Sequence, residues 1–382
     1  MSGPQASPQT PRPPGTVKIG TIAGSDVLVT TSWFVVAGLI AVAIAPRAEQ
    51  VHPGLGPWKY VAGLAFAIML YLSVLLHEAS HAYMARHYGF PVSSITLHFL
   101  GGVTAIEAEA KKPRQEFWIA VVGPLTSIAV GLAALGLWFV VPEGLLLMVV
   151  EGLAFGNLLV GALNLVPGLP LDGGRVLKSL VWQLTGSAHR GTVVAAWGGR
   201  ATAFAVLLWP FAQRSLFDLE PDVLDFLLAF VIGFFLWSGA SAALQTAKVR
   251  SRLPHLVARN LARRTLAVPE DLPLAEAVRR AREAHAGAIV TVTGSGRPVG
   301  VVNEAALMAT PEERRPWIAV STVARGVDDG LSLPVSIAGE DLVRAITRAP
   351  ATEYLLVEDD GSIYGVLTTG DVDRAFRSVP GQ

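Results

Sequence analysis

The chain has 382 residues, and 30 Lys and Arg balance 30 Asp and Glu, giving a formal net charge of zero. That balance offers no global basic field to attract nucleic acid, and the absence of cysteine excludes disulfides and any thiolate metal site. Apolar residues make up 52% of the chain and charged ones 16%, against about 25% charged in an ordinary soluble domain. With a mean hydropathy of +0.48, this composition points to a membrane protein carrying a soluble part.

The chain opens on "MSGPQASPQTPRPPG", so residues 1–16 read as a disordered tail. No basic stretch leads into an apolar core with a small-residue cleavage site, so a cleaved signal peptide is not expected. Residues 17–245 read as a transmembrane domain. Apolar segments fall at 27–45, 58–81, 117–141, 145–166, 193–213 and 223–244, each close to the roughly 20 residues that cross about 30 Å of hydrocarbon. The fifth contains Arg200, whose long side chain can snorkel to the interface. Arg86, Lys111, Lys112 and Arg114 follow the second segment, Arg175, Lys178 and Arg190 the fourth, and Lys248, Arg250 and Arg252 the sixth. The other loops hold fewer cations, so the basic face is expected to be cytoplasmic, with both termini on that side.

The second segment ends in "LLHEASHAYMARHYG", residues 75–89. His77 and His81 stand four residues apart, on one face of a helix, where two imidazoles can converge on one cation. Zn²⁺ is the usual match for nitrogen and carboxylate ligands. Glu78 lies about 100° round from His77, an awkward position for a third ligand but close enough to reach an attacking water. Two ligands and a general base on one helical turn is the mechanical content of H-E-x-x-H. A carboxylate in mid-membrane costs about 2.5–3.5 kcal/mol on insertion scales, so these groups need a partner or a task.

After this segment, "SSITLHFLGGVTAIEAEA" (93–110) alternates β-formers around Gly101 and Gly102 and reads as a membrane-associated hairpin. Its exposed edge can pair with an extended substrate, or it is an ordinary cytoplasmic hairpin; the residues alone leave both open. His98 reads as structural or interfacial, since its loop has no fixed relation to the His77 face. In the third segment, Gly123, Ser127 and Gly131 recur at four-residue spacing, which suits close helix packing. The third ligand is expected far off in sequence. "NLVPGLPLDGGRVL" (164–177) supplies Asp172. Segments two and four both run outside to inside, so parity places Asp172 at the same membrane face as the two histidines. Pro167 and Pro170 break the helix, and Gly173 and Gly174 allow a tight turn beside the carboxylate.

Beyond about residue 265 the texture changes. Short β-type runs such as "GAIVTVTGSGRPVGVV" and "EYLLVEDDGSIYGVLTTGD" alternate with "LAEAVRRAREAH" and "GEDLVRAITRA", which have helical spacing, and the order occurs twice. Residues 246–264 read as a basic linker into this α/β tail.

The paired motifs "HEASH" and "NLVPGLPLDGG", with "GPLTS" at 123–127, resemble the site-2 protease family of intramembrane zinc metalloproteases over roughly residues 17–245. The resemblance implies Zn²⁺ held by His77, His81 and Asp172, Glu78 as catalytic base, a substrate-contacting Asn164, a bend at Pro167, and a substrate-holding role for the segment around Gly101 and Gly102. It also implies a single-span membrane-protein substrate, such as an anti-sigma factor. "GVLTTGDVDRAF" (365–376) resembles the end of a CBS module, and residues 265–378 a tandem pair. Such pairs often bind an adenine nucleotide, which places Thr368 and Asp371 at the ribose; the first copy has Asn303 and Ala306 there instead. A purely structural or homodimer-forming tail is the alternative. A transporter or channel gated by the tail is the rival for the whole chain. It would spread polar groups over several depths, whereas these gather at one end.

Overall fold

The structure is a computed structural model and describes residues 15–22, 24–98, 101–327 and 330–378. Most of the expected N-terminal tail, residues 1–14, lies outside them. The chain divides into two compact units, residues 1–245 and 246–382.

The first unit opens on strands β1 (Thr16–Ile22) and β2 (Ser25–Thr30), then helices α1 (Thr31–Val51) and α2 (Trp58–His87). Strands β3 (Val92–His98) and β4 (Gly101–Ile106) follow, then α3 (Pro113–Trp138), α4 (Leu145–Asn164), α5 (Asp172–Thr185), α6 (Ala188–Phe217) and α7 (Val223–Arg252). Six of these helices, all but α5, are long and apolar enough to cross a membrane. Large apolar side chains such as Val35, Leu132, Phe155, Phe204, Phe230 and Phe234 stand exposed on them. So much outward-facing apolar surface suits lipid rather than water, and the protein is a multi-pass membrane protein.

The first span differs from the sequence expectation of 27–45. Residues 25–30 are a strand, and the helix begins at Thr31. "SDVLVT" is rich in β-branched residues, and Val27, Leu28 and Val29 are buried in a sheet instead of facing lipid. The expected hairpin is therefore half of a four-stranded sheet ordered β1-β2-β3-β4. β2 runs parallel to β3, with Val27 opposite Ile95, and β3 pairs antiparallel with β4, with Leu97 opposite Gly102. β4 is an edge strand. Arg86, at the end of α2, donates to Ser25 Oγ at 2.9 Å and to the Val92 carbonyl at 3.0 Å, tying helix to sheet. Arg200 packs between the rings of Trp197 and Trp237, 5.0 Å from each, and donates to Ser241 Oγ at 3.2 Å. Its charge is thus held against two aromatic faces.

The second unit comprises α8 (Ala258–Leu261), β5 (Thr265–Pro269), α9 (Leu274–Glu283), β6 (Ala288–Val292), β7 (Pro298–Val302), α10 (Glu304–Ala309), β8 (Ala324–Gly326), β9 (Ser332–Pro334), α11 (Gly339–Arg348), β10 (Glu353–Val357), β11 (Ile363–Thr368) and α12 (Thr369–Ser378). Its sheets are ordered β5-β6-β7-β8 and β11-β10-β9. In each, a parallel pair precedes an antiparallel one, β5 with β6 then β7, and β9 with β10 then β11. The doubled pattern in the sequence is thus a doubled fold. The stretch 246–264, expected as a linker, is ordered structure. α7 continues to Arg252, and Leu256 and Ala258 are buried in the same core as Leu342, Tyr354 and Leu367.

Candidate metal centre

α2 carries the motif inward. Its buried positions include Ser73, His77, Glu78, His81, Ala82 and Ala85, spaced so that one stripe of the helix faces the protein interior. His77 and His81 are each 4% exposed and Glu78 8%.

The imidazoles are held from behind. His81 Nδ1 lies 2.6 Å from the Ile119 carbonyl oxygen. A carbonyl only accepts, so Nδ1 carries the proton and Nε2 presents a lone pair. His77 Nδ1 lies 2.9 Å from Ser127 Oγ. The two Nε2 atoms are 3.2 Å apart, and Asp172 Oδ2 is 3.2 Å from that of His77 and 3.3 Å from that of His81. A lone pair, a second ring nitrogen and a carboxylate oxygen therefore converge on one point, an arrangement that calls for a cation. A tetrahedral zinc with bonds of about 2.0–2.1 Å sets neighbouring ligands about 3.3 Å apart, and the three edges of this triangle match. A hydrogen bond on the far ring nitrogen is also the usual support of a ligating histidine. The donor set fits Zn²⁺. Among the described residues, these three form the one group of His, Asp or Glu with this convergence.

α3 makes the space. A Cβ at Gly123 would collide with both imidazoles, so the residue there must be glycine for the rings to sit as they do. The small-residue stripe expected for helix packing thus also shapes the centre: Gly123 clears the rings and Ser127 bonds one of them. Asp172 arrives from α5. A tight turn was expected beside it, but it is the first residue of that helix, after Pro167 and Pro170 have kept α4 from continuing. Gly173 and Gly174 are helical and buried. Side chains there would strike the backbone of Leu165 and Val166, and of Gly168 and Leu169. Close approach, not a turn, is the reason for the pair.

β4 closes the side of Glu78. Thr104 Oγ1 donates to Glu78 Oε2 at 2.7 Å, and a Cβ at Gly102 would overlap the Glu78 side chain. Gly101, at φ +133, has nothing near its Cβ position. Asn164 is the last residue of α4 and half-buried. His98 ends β3 opposite Gly101 and is not in the triad. Sequence reasoning missed Thr104, the Ile119 carbonyl and the ring-holding role of Ser127. It also missed a buried ionic cluster at the edge of the centre, where Glu116 Oε1 meets Arg175 Nε at 3.1 Å and Lys178 Nζ at 3.5 Å.

In the second unit, Asp371 is engaged. Arg263 Nε donates to its Oδ2 at 2.6 Å, Thr368 Oγ1 at 2.7 Å, and Arg374 pairs with Oδ1. Burial pushes the Asp371 carboxyl up, but these hydrogen bonds outweigh it and hold the group below the usual aspartate range. Beside it lies a cavity of about 300 Å³ lined by Arg263, Arg282, Glu304, Glu353 and Thr368 among others.

Comparison with known proteins agrees with this centre. The pattern of Peptidase family M50 matches residues 65–144 and 140–208, which include all three members of the triad. Rip3 of Mycobacterium tuberculosis, whose name carries a provisional zinc-metalloprotease assignment, is 32% identical over 94% of this chain and 92% of that protein. The chain belongs to Peptidase family M50. It is a metalloprotease of the site-2 protease type, and Zn²⁺ is the metal its M50 relatives imply. Zinc metalloprotease MJ0392 of Methanocaldococcus jannaschii is 24% identical over 81% of this chain and 84% of its own length. The solved structure titled as a site-2 protease from that organism is 24% identical, covers 60% of this chain and 95% of that one, and has a TM-score of 0.42. The CBS domain pattern matches residues 258–312, within the second unit.

Proposed function

We propose that this M50 protein hydrolyses a peptide bond within or near the transmembrane segment of a single-span membrane protein, from the cytoplasmic side of the cell membrane. The observation that carries the reading is the His77–His81–Asp172 triangle with Glu78 beside it, near the end of a membrane-spanning helix and next to β4, the edge strand of its sheet among the described residues. His77, His81 and Asp172 would hold Zn²⁺ and Glu78 would act as general base. When bound, the ion supplies a Lewis acid that polarises the scissile carbonyl and acidifies a water.

The residues divide the remaining work. A helical substrate hides its peptide bonds in its own hydrogen bonds, so it must be extended to be cut. The outer edge of β4 offers backbone groups to an added strand, and Gly102 leaves that strand close to Glu78. Glu78 takes a proton from the attacking water and returns it to the leaving nitrogen, while Thr104 fixes which carboxylate oxygen is free to do so. Asn164 is proposed to contact the substrate where α4 ends. The bias of Lys and Arg supports a cytoplasmic placement of both termini. A regulator such as an anti-sigma factor suits the substrate class. For the tail, we propose that an adenine nucleotide enters the 300 Å³ cavity, which Thr368 lines, with Thr368 and the Asp371 it bonds at its ribose, and that this adjusts proteolysis.

Co-expression of candidate single-span proteins with wild type and with Glu78→Gln tests the reading. Cleavage should vanish in the variant, by a factor of about 10²–10⁴, while zinc content stays the same. Persistent cleavage would refute the assigned base.

A further inference from the structure

One face of α3 serves the metal centre along its whole first half. Glu116, Ile119, Gly123 and Ser127 follow at steps of three, four and four, and all are buried. Ser127 and the Ile119 carbonyl hold the rings, and Gly123 clears them. Glu116 stands at the foot of this face and outside the triad. It meets Arg175 and Lys178, which both project from α5, three and six residues after Asp172.

Stability is a poor explanation for this cluster. Glu116 is 5% exposed, and a buried charge gives up several kcal/mol of hydration, so apolar replacements of buried pairs are often neutral or stabilising. Geometry explains it better. α3 orients both imidazoles, whereas Asp172 comes from another helix that starts after a loop of seven residues, 165–171. The triangle closes only if α5 is fixed against α3 to within a few tenths of an ångström, the tolerance of a metal site. A charge-assisted, two-cation contact has the directionality for that, and a greasy contact of the same area does not. A cavity of about 270 Å³ walled by Thr104, Glu116, Ile119, Arg175 and Lys178 adjoins the cluster. Both cations can therefore keep water on the donors that Glu116 does not use.

We propose that Glu116, Arg175 and Lys178 are positioning residues, a clamp that holds α5 on α3 and thereby sets Asp172 against His77 and His81. This rests on the zinc-site reading above. The test uses the full chain in detergent, measuring zinc retained against graded chelator and the unfolding midpoint of the metal-stripped protein. Glu116→Gln and Arg175→Met should each weaken zinc retention by about 10–100-fold, more than the drop in the stripped midpoint from the charge left unpaired accounts for. Arg175→Lys should recover most of the loss. In an Asp172→Asn background, Glu116→Gln should cost nothing further, because the ligand it positions is already gone. Should Glu116→Gln fail to purify, Lys178→Met carries the same comparison. Equal losses in the wild-type and Asp172→Asn backgrounds would overturn the clamp, as would full retention in both single variants. Zinc that survives His77→Ala would overturn the triad reading itself, a result separate from failure of the clamp alone.

Discussion

Gly123 is where a single added methyl group should do the most damage. A Cβ built there falls 2.6 Å from His77 Nε2 and 2.5 Å from His81 Cε1, and nearer still to His81 Nε2. Non-bonded carbon contacts settle at about 3.5–4.0 Å, so each ring would have to retreat by about 1 Å. Neither can do so freely, because the far nitrogens are tied to Ile119 and Ser127 at 2.6 and 2.9 Å. Zinc ligands tolerate displacements of about 0.2 Å, and a misplacement of about 1 Å at a reacting centre costs about 10²-fold in rate. Gly123→Ala should therefore lose most of its zinc and at least about 100-fold in kcat/KM. The strain of overpacking, about 1–3 kcal/mol, should leave the protein folded in detergent. Gly131→Ala is the matched control on the same stripe. Its Cβ meets the Leu158 side chain at 2.8 Å and the Leu158 backbone nitrogen at 2.9 Å, so it disturbs α3 against α4 and not the rings. It should lower the unfolding midpoint and keep its zinc. Metal analysis and a cleavage assay on both variants decide the matter; a Gly123→Ala protein with full zinc and activity within twofold of wild type would refute the reasoning.

Removing the hydroxyl in Ser127→Ala should weaken zinc by about 10-fold or more through the lost partner of His77 Nδ1, measured by chelator competition. Thr104→Val should leave zinc in place and lower kcat, since it frees Glu78 Oε2 without touching a ligand; a loss of zinc would contradict the assignment. For the tail, the sign runs with the depressed carboxyl of Asp371. Such a group stabilises the fold above its unfolded pKa and ceases to as pH falls through its folded value. Hydrogen exchange over residues 265–378 of the full chain should show Asp371→Asn less protected than wild type at pH 7, with the gap closing below the usual aspartate range. A gap that widened in acid would refute the pairing.

The parts legible in sequence were those with local signatures. Spacing placed His77, Glu78 and His81 on one turn, and counting membrane crossings brought Asp172 to the same face. The number of spans followed from run length. What escaped was decided by tertiary pairing. β2 looked like the start of a span because Val27, Leu28 and Val29 are as apolar as lipid-facing residues; only its partner β3, more than sixty positions away, makes it a strand. Thr104 is one β-former among several, and nothing local marks the one that meets Glu78. Gly123 and Ser127 were visible as a stripe, but helix packing and ring clearance ask for the same small residues. Gly173 and Gly174 suggested a turn, whereas the crowding that demands them comes from the backbone of Leu165–Leu169.

An α-helix keeps count, and α3 uses that property as a ruler. Four groups along it, from Glu116 to Ser127, meet the centre only because they share one azimuth. Inserting or deleting a single residue between them would swing everything beyond the change by about 100°, turning Gly123 or Ser127 away from the histidines at one stroke. The eleven-residue interval from Glu116 to Ser127 is thus intolerant of any change in length, however mild the residue added.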